Sequence, residues 1–289
     1  MPHYLLKAYP MKNYSLIDRV IAITGATGGL GRAAAQALRD KGAKLVLLDL
    51  DLDSLNAMAA TLGGPDVAAG WVANVRSIES LETALKEAAQ HFGAIDVVIA
   101  GAGVSSVVAL EHLAPATFER VIDINLNGVA RTFRAALPYV KARQGYLLAI
   151  SSMAAFVHSP LNTAYTASKA GVWALCNSLR LELRQHDVGV GSFHPTFFQT
   201  PMMEAVIDGP SSTLVWNNHQ GVWQFVALEQ VVAALVACIE QRRDLVTVPR
   251  SQGLVAKAPG LLRRLIEWIG FEPGKVAEAV RLSKESKGL

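Results

Sequence analysis

Tyr165 and Lys169 stand four residues apart in Tyr165-Thr166-Ala167-Ser168-Lys169. On a helix that spacing puts a phenol and an ammonium on one face. A cation beside a phenol favours its ionised form, so Lys169 is expected to draw the Tyr165 pKa down toward working pH. A phenol tuned in this way can exchange a proton with an oxygen passing between alcohol and carbonyl. The pair gains weight from Ser152, which follows the apolar run 146–151. A hydroxyl there lies on the carboxyl rim of a sheet, where open α/β folds bind ligands. Ser151 is its neighbour, and spacing does not show which of the two side chains enters the site.

A second group of residues suits a dinucleotide. Thr24-Gly25-Ala26-Thr27-Gly28-Gly29-Leu30-Gly31 follows one apolar run and precedes a helical pattern. Glycines there let backbone approach a pyrophosphate, and the helix N-terminus offers free N–H groups and a positive dipole end. Asp49 closes the next apolar run, where a carboxylate can accept from the adenosine ribose 2′-hydroxyl and would repel a 2′-phosphate. The glycine loop itself holds no Lys or Arg; Arg32 lies just beyond it. NAD is therefore favoured over NADP. Asp49 could instead cap the helix that starts near Asp51, but Asp51 and Asp53 can do that without it.

These residues need a frame. Strands are expected at 20–24, 44–49, 68–73, 96–100, 146–151, 188–193 and 245–248. Helices are expected at 30–41, 52–62, 77–92, 116–142, 163–186 and 228–241. Such alternation predicts a single α/β domain: a Rossmann-type, doubly wound parallel sheet of about seven strands, covered by helices on both faces. Residues 1–249 form this domain, with its core from about residue 19, and 250–289 form a basic amphipathic C-terminal helical extension.

Composition narrows the classes. The 289 residues are 51% apolar and 18% charged, with net charge +3, which suits a full core and argues against disorder. Two cysteines make no disulfide framework, and no Cys/His spacing suggests a metal, so a reducing, cytoplasmic setting is expected. No apolar run approaches a membrane span, and the first residues are too polar for a secretory signal. Basic residues gather at the two ends while the body is mildly acidic, so no nucleic-acid partner is expected.

In combination, these motifs resemble the short-chain dehydrogenase/reductase family, in its shorter, non-extended branch. TGxxxGxG is met by Thr24, Gly25, Gly29 and Gly31, and YxxxK by Tyr165 and Lys169. Ser152 stands thirteen positions before the tyrosine, as the family's serine does, and Asn125 meets its helix asparagine. The resemblance implies a catalytic set of Asn125, Ser152, Tyr165 and Lys169. Tyr165 exchanges the proton and Ser152 orients the substrate oxygen. Lys169 holds the nicotinamide ribose, and Asn125 steadies a relay water. It implies cofactor contacts at Thr24, Gly25, Gly29, Leu30, Gly31, Asp49, Asn74, Val75, Ala100, Gly101, Tyr165, Lys169, Pro195 and Thr200. It also implies a homodimer or homotetramer built through the helices at 116–142 and 163–186.

Three positions depart from the family pattern. Ala100-Gly101-Ala102-Gly103 replaces Asn-Asn-Ala-Gly, Asn74 replaces an acid, and Thr196 replaces a glycine. The expected activity is NAD-dependent interconversion of an alcohol and a ketone or aldehyde. An NADPH-dependent reductase and a non-catalytic dinucleotide sensor are the alternatives.

Residues 196–227 match the family's substrate lid. Phe197, Phe198, Met202, Met203, Val206, Ile207, Leu214, Trp216, Trp223 and Phe225 make it apolar. That fits a lipophilic substrate and equally fits a lid packed on its own body. In the extension, Leu261, Leu265 and Trp268 share a helix face, with Leu262, Ile266 and Ile269 beside it and Arg263, Arg264 and Glu267 opposite. Such a helix suits packing on protein or peripheral contact with a membrane.

Overall fold

The computed structural model describes residues 14–200, 203 and 209–285. Seven parallel strands form one sheet: β1 (Val20–Thr24), β2 (Lys44–Asp49), β3 (Ala68–Val72), β4 (Val97–Ala100), β5 (Tyr146–Ile150), β6 (Gly189–Pro195) and β7 (Leu245–Val248). Their order is β3-β2-β1-β4-β5-β6-β7. β1 is buried throughout because it lies mid-sheet between β2 and β4 with helices over both faces. Two apolar layers result. Ile21, Ile23, Leu45 and Leu47 point to one face; Ala22, Val46, Leu48 and Val98 point to the other.

The helices are α1 (Gly29–Asp40), α2 (Leu52–Thr61), α3 (Ile78–Phe92), α4 (Pro115–Ile122), α5 (Gly128–Ala142) and α6 (Thr163–Leu183). α7 (Pro210–Val215) and α8 (Leu228–Glu240) follow, then α9 (Gly253–Lys257), α10 (Pro259–Gly270) and α11 (Pro273–Leu282). Local chemistry sets several ends. The Asp51 and Ser77 side chains accept from Ser54 N and Ser80 N at the starts of α2 and α3, and Gly93 closes α3 in the left-handed region.

The single helix expected over 116–142 is α4 and α5 joined by a π turn, Asp123–Asn127. The wider turn carries Asn125 inward, where it is fully buried. Its Nδ2 donates to Val104 O at 2.9 Å and Ser168 Oγ at 3.1 Å, and its Oδ1 accepts from Val104 N at 2.8 Å. The extension also departs from expectation, since it holds a further helix, α11. That helix packs on α7 through Ala279, and Ser283 Oγ accepts from Ala109 N at 3.2 Å. The small buried residue and the Pro273 start leave little periodic signal in so short a segment.

Candidate active site

The chain reverses its direction of travel across the sheet between β1 and β4, and a crevice opens at the strands' carboxyl ends there. The cavity measures about 800 Å³. It runs from the glycine loop and Asp49 past Ser152, Tyr165 and Lys169 to an apolar end beneath α10.

The glycine loop is shaped by backbone contact. Gly25 sits at φ +72°, and a Cβ there would stand 2.8 Å from Ala102 Cα. A Cβ at Gly31 would collide with the Gly25 carbonyl oxygen. The departure at Ala100-Gly101-Ala102-Gly103 is absorbed by this packing. Thr24 Oγ1 accepts from Gly101 N at 3.1 Å and Ala102 N at 3.4 Å, bracing the second loop from the first.

α1 begins with no side-chain cap and no acid in its first turn. Its leading N–H groups therefore suit an anion. Asp49 is not a helix cap. Its Oδ2 accepts from Thr27 N at 2.9 Å and Thr27 Oγ1 at 2.6 Å, and its Oδ1 from Leu50 N at 2.9 Å. A carboxylate has about four acceptor positions, so capacity remains for a ribose hydroxyl. Arg32 turns its Nε to Thr27 O at 2.7 Å. The donor set and cradle fit a dinucleotide.

Gly25, Gly29, Leu30, Gly31, Asp49, Asn74, Val75, Gly101, Pro195 and Thr200 all line the cavity. Asn74 commits Oδ1 to Arg76 N at 3.0 Å, leaving its Nδ2 end. Thr24 and Ala100 are not in the wall: Thr24 acts as the brace just described, and Ala100 is buried in the core. Asn125 is likewise behind the wall, latched to Val104. Met202, Val206 and Ile207 of the lid lie outside the described residues.

Ser152, Tyr165 and Lys169 come together from β5 and α6. Ser152 Oγ accepts from Ala154 N at 3.1 Å and makes a hydrogen bond with the Tyr165 phenol. Lys169 Nζ lies 5.4 Å from the Tyr165 ring centre and donates to Ile150 O at 2.8 Å. Both serines line the cavity, but the Ser151 hydroxyl is committed to Lys169 O at 3.0 Å, which leaves Ser152 as the candidate hydroxyl.

The expected lowering of the Tyr165 pKa by Lys169 does not dominate here. Burial pushes the phenol above its ordinary value, and only the bond to Ser152 pulls it back. Burial also brings Lys169 down to about 8. Desolvation penalises both charged forms and outweighs their mutual attraction. The group can thus offer a phenol proton at neutral pH to an oxygen seated between Tyr165 and Ser152.

His194, on β6, holds the backbone behind Ser152. Its Nδ1 donates to Ser152 O at 3.0 Å, and its Nε2 accepts from Ser192 Oγ at 2.8 Å. That arrangement needs the neutral ring, and burial lowers its pKa to about 4. The unfolded chain binds this proton near pH 6.5 and the folded chain does not. Stability is therefore full above 6.5 and is lost as pH falls toward 4. The shift corresponds to about 3 kcal/mol. His194→Gln is expected to flatten this acid loss, as read by urea unfolding at pH 7 and 4.5. An equal loss in both proteins would count against the assignment.

The apolar end was only half legible. Phe197 packs 5.1 Å from Trp216, and Trp223 lies 5.1 Å from Phe271 in the extension. These residues pack the lid onto the body, and Phe197, Trp216 and Trp223 also line the cavity. Ile266, Ile269 and Gly270 of α10 complete the wall. Their amphipathic spacing was visible; which face would meet the cavity was not. Leu261 and Trp268 stay outside, 83% and 81% exposed.

Among the described residues no cluster of three or more metal-ligating side chains occurs, and no helix is long and apolar enough to cross a membrane.

The model of the short chain dehydrogenase family matches residues 19–210. The chain is 37% identical over 202 residues to (-)-trans-carveol dehydrogenase of Rhodococcus erythropolis, covering 64% of this chain and 73% of that protein. It is 30% identical over 234 residues to the 3-oxoacyl-acyl-carrier-protein reductase of Thermotoga maritima, covering 80% and 94%. In fold it is similar to a Burkholderia phymatum short chain dehydrogenase/reductase in complex with NAD. That similarity has TM-score 0.76 and 23% identity, over 90% of this chain and 98% of that one.

Proposed function

Since the chain belongs to the short-chain dehydrogenase/reductase family of oxidoreductases, we propose that it interconverts a lipophilic alcohol with its ketone or aldehyde, using NAD. The observation that carries this reading is the Tyr165 phenol bonded to Ser152 beside Lys169 on the wall of an apolar-ended cavity. When bound, the nicotinamide supplies or accepts the hydride.

The chain's own residues do the rest. The glycine loop and the start of α1 hold the pyrophosphate, and Asp49 takes the adenosine ribose. Lys169 and Thr200 face the nicotinamide end. Ser152 holds the substrate oxygen by a hydrogen bond, and Tyr165 gives it a proton in reduction or removes one in oxidation. Asn125 makes three hydrogen bonds that fix the Val104 backbone against Ser168, one residue before Lys169. Arg32, engaged with Thr27 O, is not in the cavity wall, and Arg76, which is, pairs with Asp123 at 2.8 Å; with Asp49 in the wall this supports NAD over NADP.

The deciding experiment is a screen of lipophilic alcohols and ketones with NAD(H) and with NADP(H), followed by NADH absorbance. Clear preference for NADP(H) would overturn the cofactor assignment. No turnover of any pair would favour the non-catalytic sensor.

The same reading includes a homodimer or homotetramer joined through α4, α5 and α6, in the cytoplasm, where the two buried cysteines stay free. The outward row of Leu261, Leu265 and Trp268 on α10 is the surface a bilayer would meet. Leu265→Glu/Trp268→Glu is then expected to release the protein from phosphatidylserine vesicles in co-sedimentation. Equal sedimentation of the two proteins would remove the bilayer.

A further inference from the structure

Asn162 is the residue immediately before α6, a position where an asparagine side chain ordinarily caps the helix. Here it does not: no side-chain bond to the first turn is made. The residue is only 8% exposed, its Oδ1 is buried without a hydrogen-bond partner, and it lines the cavity. Gln252, at the opening of the extension, repeats the pattern, with a buried, unpartnered Oε1 on the same cavity wall. Val157, Met203 and Val222, which line the same cavity, carry no donor. Trp216 has already given its indole N–H to Ser159 Oγ at 2.8 Å.

A buried acceptor left unpaired is costly, and native interiors rarely keep one. Two of them on one cavity, both in side chains rich in hydrogen-bonding capacity, point to a ligand that carries the missing donor. Asn162 precedes Tyr165 by three residues, which on a helix is about 4.5 Å along the axis. A donor meeting Asn162 therefore sits within a few bonds of the reacting carbon.

We infer that Asn162, aided by Gln252, is a specificity-determining residue that receives a second hydroxyl or N–H on an otherwise lipophilic alcohol or ketone. This rests on the redox reading above and narrows its substrate class. Neither residue takes part in proton exchange. Asn162 selects by pairing with a substrate group that a purely hydrocarbon competitor lacks, and a hydrogen-bonding site rejects such a competitor strongly.

Matched cyclohexanones test it: 2-, 3- and 4-hydroxy compounds against their methyl counterparts, with NADH. At one ring position or more the wild-type protein is expected to favour the hydroxyl compound in kcat/KM by roughly tenfold or more, chiefly through KM. Asn162→Leu is expected to erase that preference and to leave the methyl partner within about threefold of wild type. Gln252→Met, on a separate element, is expected to weaken the preference and guards against a folding defect in the first variant.

The same choice is read without turnover by calorimetry, titrating cyclohexanediols and methylcyclohexanols into the protein with NADH, a pair that cannot react. Binding preference without turnover would count against the redox reading and still support the role of Asn162. The inference is overturned if neither readout favours a hydroxyl at any position, or if the preference survives in Asn162→Leu.

Discussion

Tyr165→Phe is expected to lower kcat by about 10²–10⁴-fold while cofactor affinity stays within a few-fold of wild type. The ring itself packs against the buried cluster of Val108, Leu113, Val121 and Ala164, and phenylalanine keeps those contacts. What is lost is one O–H, the group bonded to Ser152 on the cavity wall. Since burial raises the Tyr165 pKa, the phenol holds its proton at neutral pH in the protein without cofactor. Reduction, which consumes that proton, is expected to slow in alkali. Oxidation, which needs the phenolate, is expected to rise with pH. Initial rates of NADH consumption and formation from pH 6 to 10 read both limbs, and NADH fluorescence reads binding separately. An unchanged kcat in the variant would remove Tyr165 from the proton transfer.

Asp49→Ala is expected to weaken NADH binding by roughly ten- to a hundredfold, since a hydrogen bond to a charged acceptor contributes about 1.5–3 kcal/mol. NADPH should lose nothing by the same change, because removing the carboxylate removes its repulsion of a 2′-phosphate. The ratio of the two dissociation constants is therefore the informative quantity. Thr27 complicates the absolute values, because Asp49 Oδ2 also accepts from its N–H and hydroxyl and so orders the loop. Asp49→Asn separates the two effects, since it keeps an acceptor for Thr27 and drops the charge. A wild-type preference for NADPH, or an unmoved ratio in Asp49→Ala, would set aside the assignment of Asp49.

Much of this protein follows from local pattern. A strand buried on both faces must be apolar along its whole length, as β1 and β2 nearly are, so the alternation of strands and helices was legible and with it the parallel sheet. The spacing of Tyr165 and Lys169 is a property of one helix, and the glycines of the first turn are needed wherever backbone meets backbone or phosphate. The end of a strand placed Ser152 on the carboxyl rim, and the family's spacing chose it over Ser151.

Other features depend on what lies across the fold from each residue. Only the packing of β6 against β5 shows that His194 holds Ser152 from behind. Only the depth of the cavity shows that desolvation, not Lys169, governs the Tyr165 phenol. The packing that turns Thr24 to brace the second loop and buries Ala100 was hidden for the same reason. A motif position gives residue order, while the direction of a side chain depends on which neighbour fills the space behind it.

Short-range patterns in the amino-acid sequence carry the class of fold and mark Tyr165, Lys169 and the glycine loop, which the structure brings to one cavity. The tertiary structure alone decided that the extension belongs to the site. Helical period marks Ile266 and Ile269 as one edge of an apolar face, but burial against a distant cavity, not period, makes them its wall. It alone also shows the Asn162 amide oxygen without a partner beside that cavity. Whether a polar group is satisfied depends on every atom around it, and those atoms come from segments far apart in the chain.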